Sequence, residues 1–170
     1  MSTQTMDYDA ARVLPSIDTY TIWTVLLAGA MSTVAFDYFG QSLSPMLGFS
    51  GLAPVPLANQ VISVIFGSGH RPSAELLHYF AGMIAYPVGW VFIFQPLARK
   101  FTPSIPTWIV ATVYGVVLWV FALFIMASLI AGNPPFLNFT GITWVALVGH
   151  VLFAWVTAAM VGWRENKRPS

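Results

Sequence analysis

Three histidines and two carboxylates are the residues of this chain that can do chemistry inside an apolar setting. His78 lies in "SAELLHYFAGMIAYPVGW" (73–90) and His150 in "LVGHVLFAWVTAAMVGW" (147–163), both otherwise fit to cross a bilayer. Asp37 ends the apolar run "AGAMSTVAFDYF", and His70, Arg71 and Glu75 stand just before His78. Imidazole suits Zn, Cu or Fe, and carboxylate can complete the shell, so His78, His150, Asp37 and Glu75 form a candidate metal set. The spacing is not that of a compact motif such as H-x-x-x-H or H-E-x-x-H, and Glu75 four residues after Arg71 also reads as a surface ion pair.

Each of the two deeper histidines closes an Ala-x-x-x-His pattern, from Ala74 to His78 and from Ala146 to His150. A small residue four before an intramembrane histidine leaves room for a flat ring, whose iron or magnesium the imidazole can ligate. Light-harvesting polypeptides use a similar spacing, and the chain resembles them at that level only. Haem and chlorin therefore join a transition metal as candidate ligands, with His150 and His78 as cofactor-binding residues. At 1.5 Å per residue, His78 is about 6 to 8 Å inside its helix and His150 about 12 to 15 Å. His78 thus reads as interfacial and His150 as intramembrane. An ionisable residue at that depth is a functional hypothesis by default, although a neutral histidine can also serve as packing glue.

The surroundings are those of an integral membrane protein. Hydrophobic residues make up 57% of the 170 and charged residues 8%, against about a quarter charged in ordinary soluble domains. No Asp, Glu, Lys or Arg occurs from Phe101 to Trp163, or between Tyr38 and His70. A net charge of +1 gives no basic face for nucleic acid, and the absence of cysteine excludes disulfides, thiolate metal sites and cysteine nucleophiles. Phosphate-binding glycine loops and Ser-His-Asp signatures are missing as well.

These properties predict an all-α, four-span bundle in a single membrane domain covering 1–170. Met1–Pro15 is polar, Asp18 or Thr19 caps the first helix, and the spans are about 20–39, 74–98, 107–131 and 142–163. Between the first two lies a Gly/Pro/Ser-rich connection, 40–73. Within it "PLANQVISVIFG" puts Leu57, Val61, Val64 and Ile65 on one face of a short interfacial or re-entrant helix, with Asn59, Gln60 and Ser63 elsewhere. Pro87 should kink the second span and free the carbonyl of Met83. Tyr20, Trp23, Trp90, Trp108, Trp144 and Trp163 fall where interfacial aromatic belts are expected. With both termini cytoplasmic, six of the seven Lys/Arg (Arg12, Arg99, Lys100, Arg164, Lys167, Arg168) lie inside and only Arg71 outside.

Small residues form stripes: Ala146, His150, Ala154, Ala158 and Gly162 at four-residue spacing, and Ala81, Ala85 and Gly89 in the second span. Such seams let helices approach closely and, where exposed, favour association with other subunits or with a second copy. The stretches 78–90 and 150–163 both run from His through alanines to Val-Gly-Trp, which reads as a faint parallel repeat of helix pairs.

"AGAMSTVAFDYF", "LLHYFAGMIAYPVGWVFIF" and "LVGHVLFAWVTAAMVGW" together resemble a group of small bacterial four-helix membrane proteins classed as a domain of unknown function. The resemblance implies a bacterial inner-membrane location, with His78 and His150 in recurring places, and assigns no activity. The sequence leaves three functional readings. The first is a non-enzymatic accessory subunit of a membrane redox or transport complex, partnered by lipid and other membrane proteins. The second is haem, metal or quinone binding in the outer half. The third is a small oligomeric transporter.

Overall fold

The computed structural model describes residues 14–168, so Arg12 and nearly all of the polar N-terminal stretch lie outside the described part. Four helices are long and apolar enough to cross a membrane: α1 (Thr19–Met46), α3 (Arg71–Phe101), α4 (Thr107–Ile130) and α5 (Gly141–Glu165). A shorter helix, α2 (Pro54–Phe66), lies between α1 and α3. The end of the bundle carrying Arg99, Lys100, Arg164 and Lys167 is called the basic end; α2 belongs to the opposite, loop end.

The expected bounds of the first two spans move. The first span does not stop before Gly40 but continues to Met46, and the second starts at Arg71 rather than Ala74. Gly40 is not a breaker there: an added Cβ would fall 2.4 Å from Leu52, whose N–H donates to the Gly40 carbonyl at 2.8 Å. Its role is to let the loop fold back onto the helix.

Proline is accommodated without ending the helices. Three five-residue π turns, Phe39–Leu43, Ala81–Ala85 and Trp90–Phe94, stand two residues ahead of Pro45, Pro87 and Pro96. In each case the residue before the proline donates five residues back: Ser44 to Phe39, Tyr86 to Ala81 and Gln95 to Trp90. A proline ring has no N–H and collides with the carbonyl four residues earlier, and the wider turn makes room for it. The disturbance expected at Pro87 is thus absorbed as a π turn.

Close backbone approach organises the bundle. An added Cβ on Gly29 of α1 would fall 2.1 Å from the Met83 carbonyl oxygen of α3, and one on Gly115 of α4 would fall 2.8 Å from the His150 carbonyl oxygen of α5. Helix α5 is the central element, packed on both α1 and α4. Ala146, Ala154 and Ala158 of its stripe are buried, so this seam is a close-packed face, as its spacing leads one to expect, and it is spent inside the molecule. Ser32 of α1 and Thr157 of α5, both fully buried, share a hydroxyl hydrogen bond of 2.7 Å.

The core occupies the basic half, where Trp90, Phe94 and Tyr114 stack together beside Val25, Ala154 and Val161. Trp90 is fully buried, unlike Trp23, Trp108, Trp144 and Trp163, which are about half exposed and suit a belt. The face of α2 also differs from expectation: Ala58, Val61 and Ile62 are buried, whereas Val64 and Ile65 are exposed.

The basic end is laced by polar contacts. Asp18 caps α1 by accepting from the Thr21 N–H at 2.8 Å, also accepts from Ser16, and pairs with Arg168. Arg164 lies over the Tyr20 ring at 3.9 Å, and Arg99 reaches Glu165 at 2.6 Å. The Thr21 N–H, then the Ser16 hydroxyl, with a further contribution from Arg168, hold the Asp18 carboxyl below its ordinary value of 3.8. Its contribution to stability is therefore complete above that value and lost as pH falls through the lower, folded one. Thermal unfolding in detergent should show this loss below about pH 4 for the wild type, and a smaller loss for Asp18→Asn.

Gly29→Val should destabilise the protein by about 1–3 kcal/mol through overpacking against Met83. Gly162→Ala, with nothing within 4 Å of the added carbon, should leave the melting temperature unchanged or slightly raised.

Candidate functional site

The loop half of the bundle is open where the basic half is filled. A cavity of about 760 Å³ lies there, with walls from α1, α2, α3, α4 and α5, and both His78 and His150 line it. Its wall is mostly apolar and partly aromatic, including Phe36, Phe80, Tyr86, Phe121 and Phe153. Helices α3 and α4 make few direct contacts in this half, and the cavity occupies the space between them.

His150 is held by its own helix and by two neighbours. Its Nδ1 is 2.7 Å from the Ala146 carbonyl oxygen, and the Phe36 ring meets it edge-on at 5.0 Å between centroids. The approach of Gly115 to the His150 backbone fixes the helix on its other side. A carbonyl can only accept, so Nδ1 must carry the proton, and the neutral ring then presents a lone pair at Nε2. That nitrogen has no hydrogen-bond partner among the described residues. A histidine anchored through one nitrogen to a backbone carbonyl has the other free for a metal, or for the hydroxyl of a ligand.

His78 is held differently. Its Nε2 lies 3.1 and 3.2 Å from the two carboxylate oxygens of Asp37, which also accepts from Gln41 at 2.8 Å. Both side chains of this pair are mostly buried. The extension of α1 beyond Gly40 is what places Gln41 one turn after Asp37. The pair joins α1 to α3 at the loop end, with His78 on the cavity wall.

Glu75 does not join this group. Its carboxylate accepts from Arg71 at 2.9 Å on the exposed face of α3, the surface pairing expected from the spacing. His70 is likewise exposed and pairs with Ser73 at 2.7 Å. Among the described residues no three His, Asp or Glu side chains gather as a metal site. The structure thus brings His78 to Asp37, and His78 and His150 to one cavity, without assembling all four candidates.

Other wall residues escape a reading of single helices. Gln60 of α2 and Asn133 after α4 both line the cavity, and Asn133 Nδ2 donates to Gln60 Oε1 at 2.9 Å, leaving the Gln60 amide N–H groups for another acceptor. Thr33 also lines it, with a buried hydroxyl that has no partner among the described residues. Leu137 closes the loop end within a turn where Phe136, Leu137, Asn138 and Phe139 all have φ between 49° and 56°. Left-handed backbone costs about 1–2 kcal/mol per non-glycine residue. Here it is held by aromatic contacts of Phe136 with Trp119 and Phe124 and by the Thr143 hydroxyl on the Phe136 carbonyl.

Comparison of the chain with protein-family models, with curated proteins and with solved structures finds no match. The cavity and its polar groups are therefore what bears on function.

Accessibility of the three histidines gives a direct check on this geometry. Diethyl pyrocarbonate followed by peptide mass spectrometry should modify His70 first and His150 last. Asp37→Ala should speed modification of His78 without exposing His150; equal rates for His78 in both proteins would mean that the pair does not form.

Proposed function

We propose that this protein is a membrane-embedded binder of a quinone or quinol, held in the cavity between α3, α4 and α5. The observation that carries the reading is the His150 side chain, locked to the Ala146 carbonyl through Nδ1 and contributing to an aromatic-lined cavity with Nε2 unpartnered. A quinol hydroxyl can donate to that nitrogen, and a quinone carbonyl can accept from the Gln60 amide. The flat ring suits walls formed by Phe36, Tyr86 and Phe153. A bare metal ion is less well served, because the four candidate ligands do not converge.

The chain would act as a holder rather than a catalyst, in keeping with an accessory component of a membrane redox complex. Electrons for the bound ring would then be exchanged with another subunit. The positive-inside distribution supports a cytoplasmic basic end, and the resemblance to small bacterial membrane proteins supports an inner-membrane location.

Binding of a tail-less ubiquinol or menaquinol analogue to the detergent-purified chain, followed by isothermal titration calorimetry, tests the reading. His150→Ala should weaken binding by about three- to tenfold, the weight of one hydrogen bond. Unchanged affinity would remove His150 from the site. An absorption spectrum of the same sample separates the competing ligand: a Soret band lost in His150→Ala would replace quinone by haem.

A further inference from the structure

The cavity is uneven from end to end. Gln60, Asn133, His78 and His150 supply polar groups toward the loop end, whereas Ala85, Gly89, Ile93, Val117 and Phe121 wall the part nearer the middle of the bundle. Tyr86 is the polar side chain in that inner part, and its backbone carbonyl is already occupied by the Tyr114 hydroxyl at 2.5 Å. Phe80, Ala85, Ile93, Val117 and Phe121 belong both to the cavity wall and to the exposed surface. The cavity is therefore open sideways, between α3 and α4, onto the face that a spanning bundle turns to lipid.

Resting on the quinone reading, we propose that this side opening holds the ligand's single isoprenoid tail, with the ring at the histidines and the tail leaving between α3 and α4 into the bilayer. Ala81, Ala85, Gly89 and Ile93 of α3 line the cavity, and the Tyr114 hydroxyl of α4 occupies the space beside Gly89, 2.7 Å from where a Cβ would stand. From Ala81 to Ile93 the helix advances by about 18 Å, a run long enough for several isoprene units. Facing these residues, Val117 and Phe121 of α4 line the cavity, and the Phe121 ring meets Tyr86 of α3 edge-on at 6.3 Å between centroids. Lipid and protein walls are equally apolar, so the tail gains little by leaving the bilayer. Its position, rather than its effect on affinity, is what the geometry fixes.

A quinone carrying a diazirine on its last isoprene unit, photolysed with the wild-type chain in nanodiscs, reads that position by peptide mass spectrometry. The expected label falls on Ile93, Val117 and Phe121, is displaced by excess tail-less analogue, and is lost from these residues in Ala85→Phe, with tail-less ring binding measured on the same variant to separate a displaced tail from a lost ring. Label on Leu57 and Leu137 would reverse the orientation and overturn the proposal. Label spread evenly over Trp23, Trp155 and the other lipid-facing side chains would overturn it too, by showing a tail that samples only bulk lipid. If Ala85→Phe fails to fold, displacement from the wild-type chain decides between these outcomes alone. Absence of tail-less ring binding, or its indifference to His150→Ala, would instead defeat the quinone reading on which the proposal rests.

Discussion

Direct backbone approach between helices is the constraint on which the rest of the molecule depends. In an apolar solvent, helices gain nothing by hiding apolar side chains from lipid, so association falls to close packing and interhelical hydrogen bonds. Gly29 against the Met83 carbonyl, Gly115 against the backbone of His150 and Val151, and the Ser32–Thr157 hydroxyl pair supply both. With the polar lacing at the basic end added, that half of the bundle is closed while the loop half is left unfilled. The histidine most exposed to chemical consequence, His150, is carried by the same backbone segment that Gly115 pins.

The backbone accounting is equally strict. Every N–H and C=O in such a setting needs an internal partner, and the chain nevertheless places prolines within two of its long helices. Widened turns ahead of Pro45, Pro87 and Pro96 reconcile the two demands. The ten-residue π stretch of α4, Phe121–Ile130, contains no proline, but it supplies Phe121, Ala122, Leu123 and Met126 to the cavity wall. Irregular helix and cavity wall coincide on both α3 and α4.

Much of this was legible in the residues. Charge-free runs locate four spans to within a few residues at most ends, Asp18 announces its cap, and the four-residue stripe through His150 marks a close-packed face. Local pattern misled where a distant partner decided the outcome. Gly40 resembles a helix stop until Leu52 is seen folded onto it, and Trp90 resembles a belt residue until Tyr114 and Phe94 enclose it. The cavity itself has no linear signature, because Thr33, Gln60, His78, Asn133 and His150 come from separate parts of the chain.

Residues four apart on a regular α-helix drift about 40° around its axis at each step, so a stripe at positions 81, 85, 89 and 93 would wind about 120° away from its starting side. The π turns at Ala81–Ala85 and Trp90–Phe94 hold more residues per turn and counter that drift. Pro87 and Pro96, often regarded as defects in a helix, thereby act as phase correctors: the wide turns ahead of them accompany a stripe, Ala81, Ala85, Gly89 and Ile93, that stays on one cavity wall.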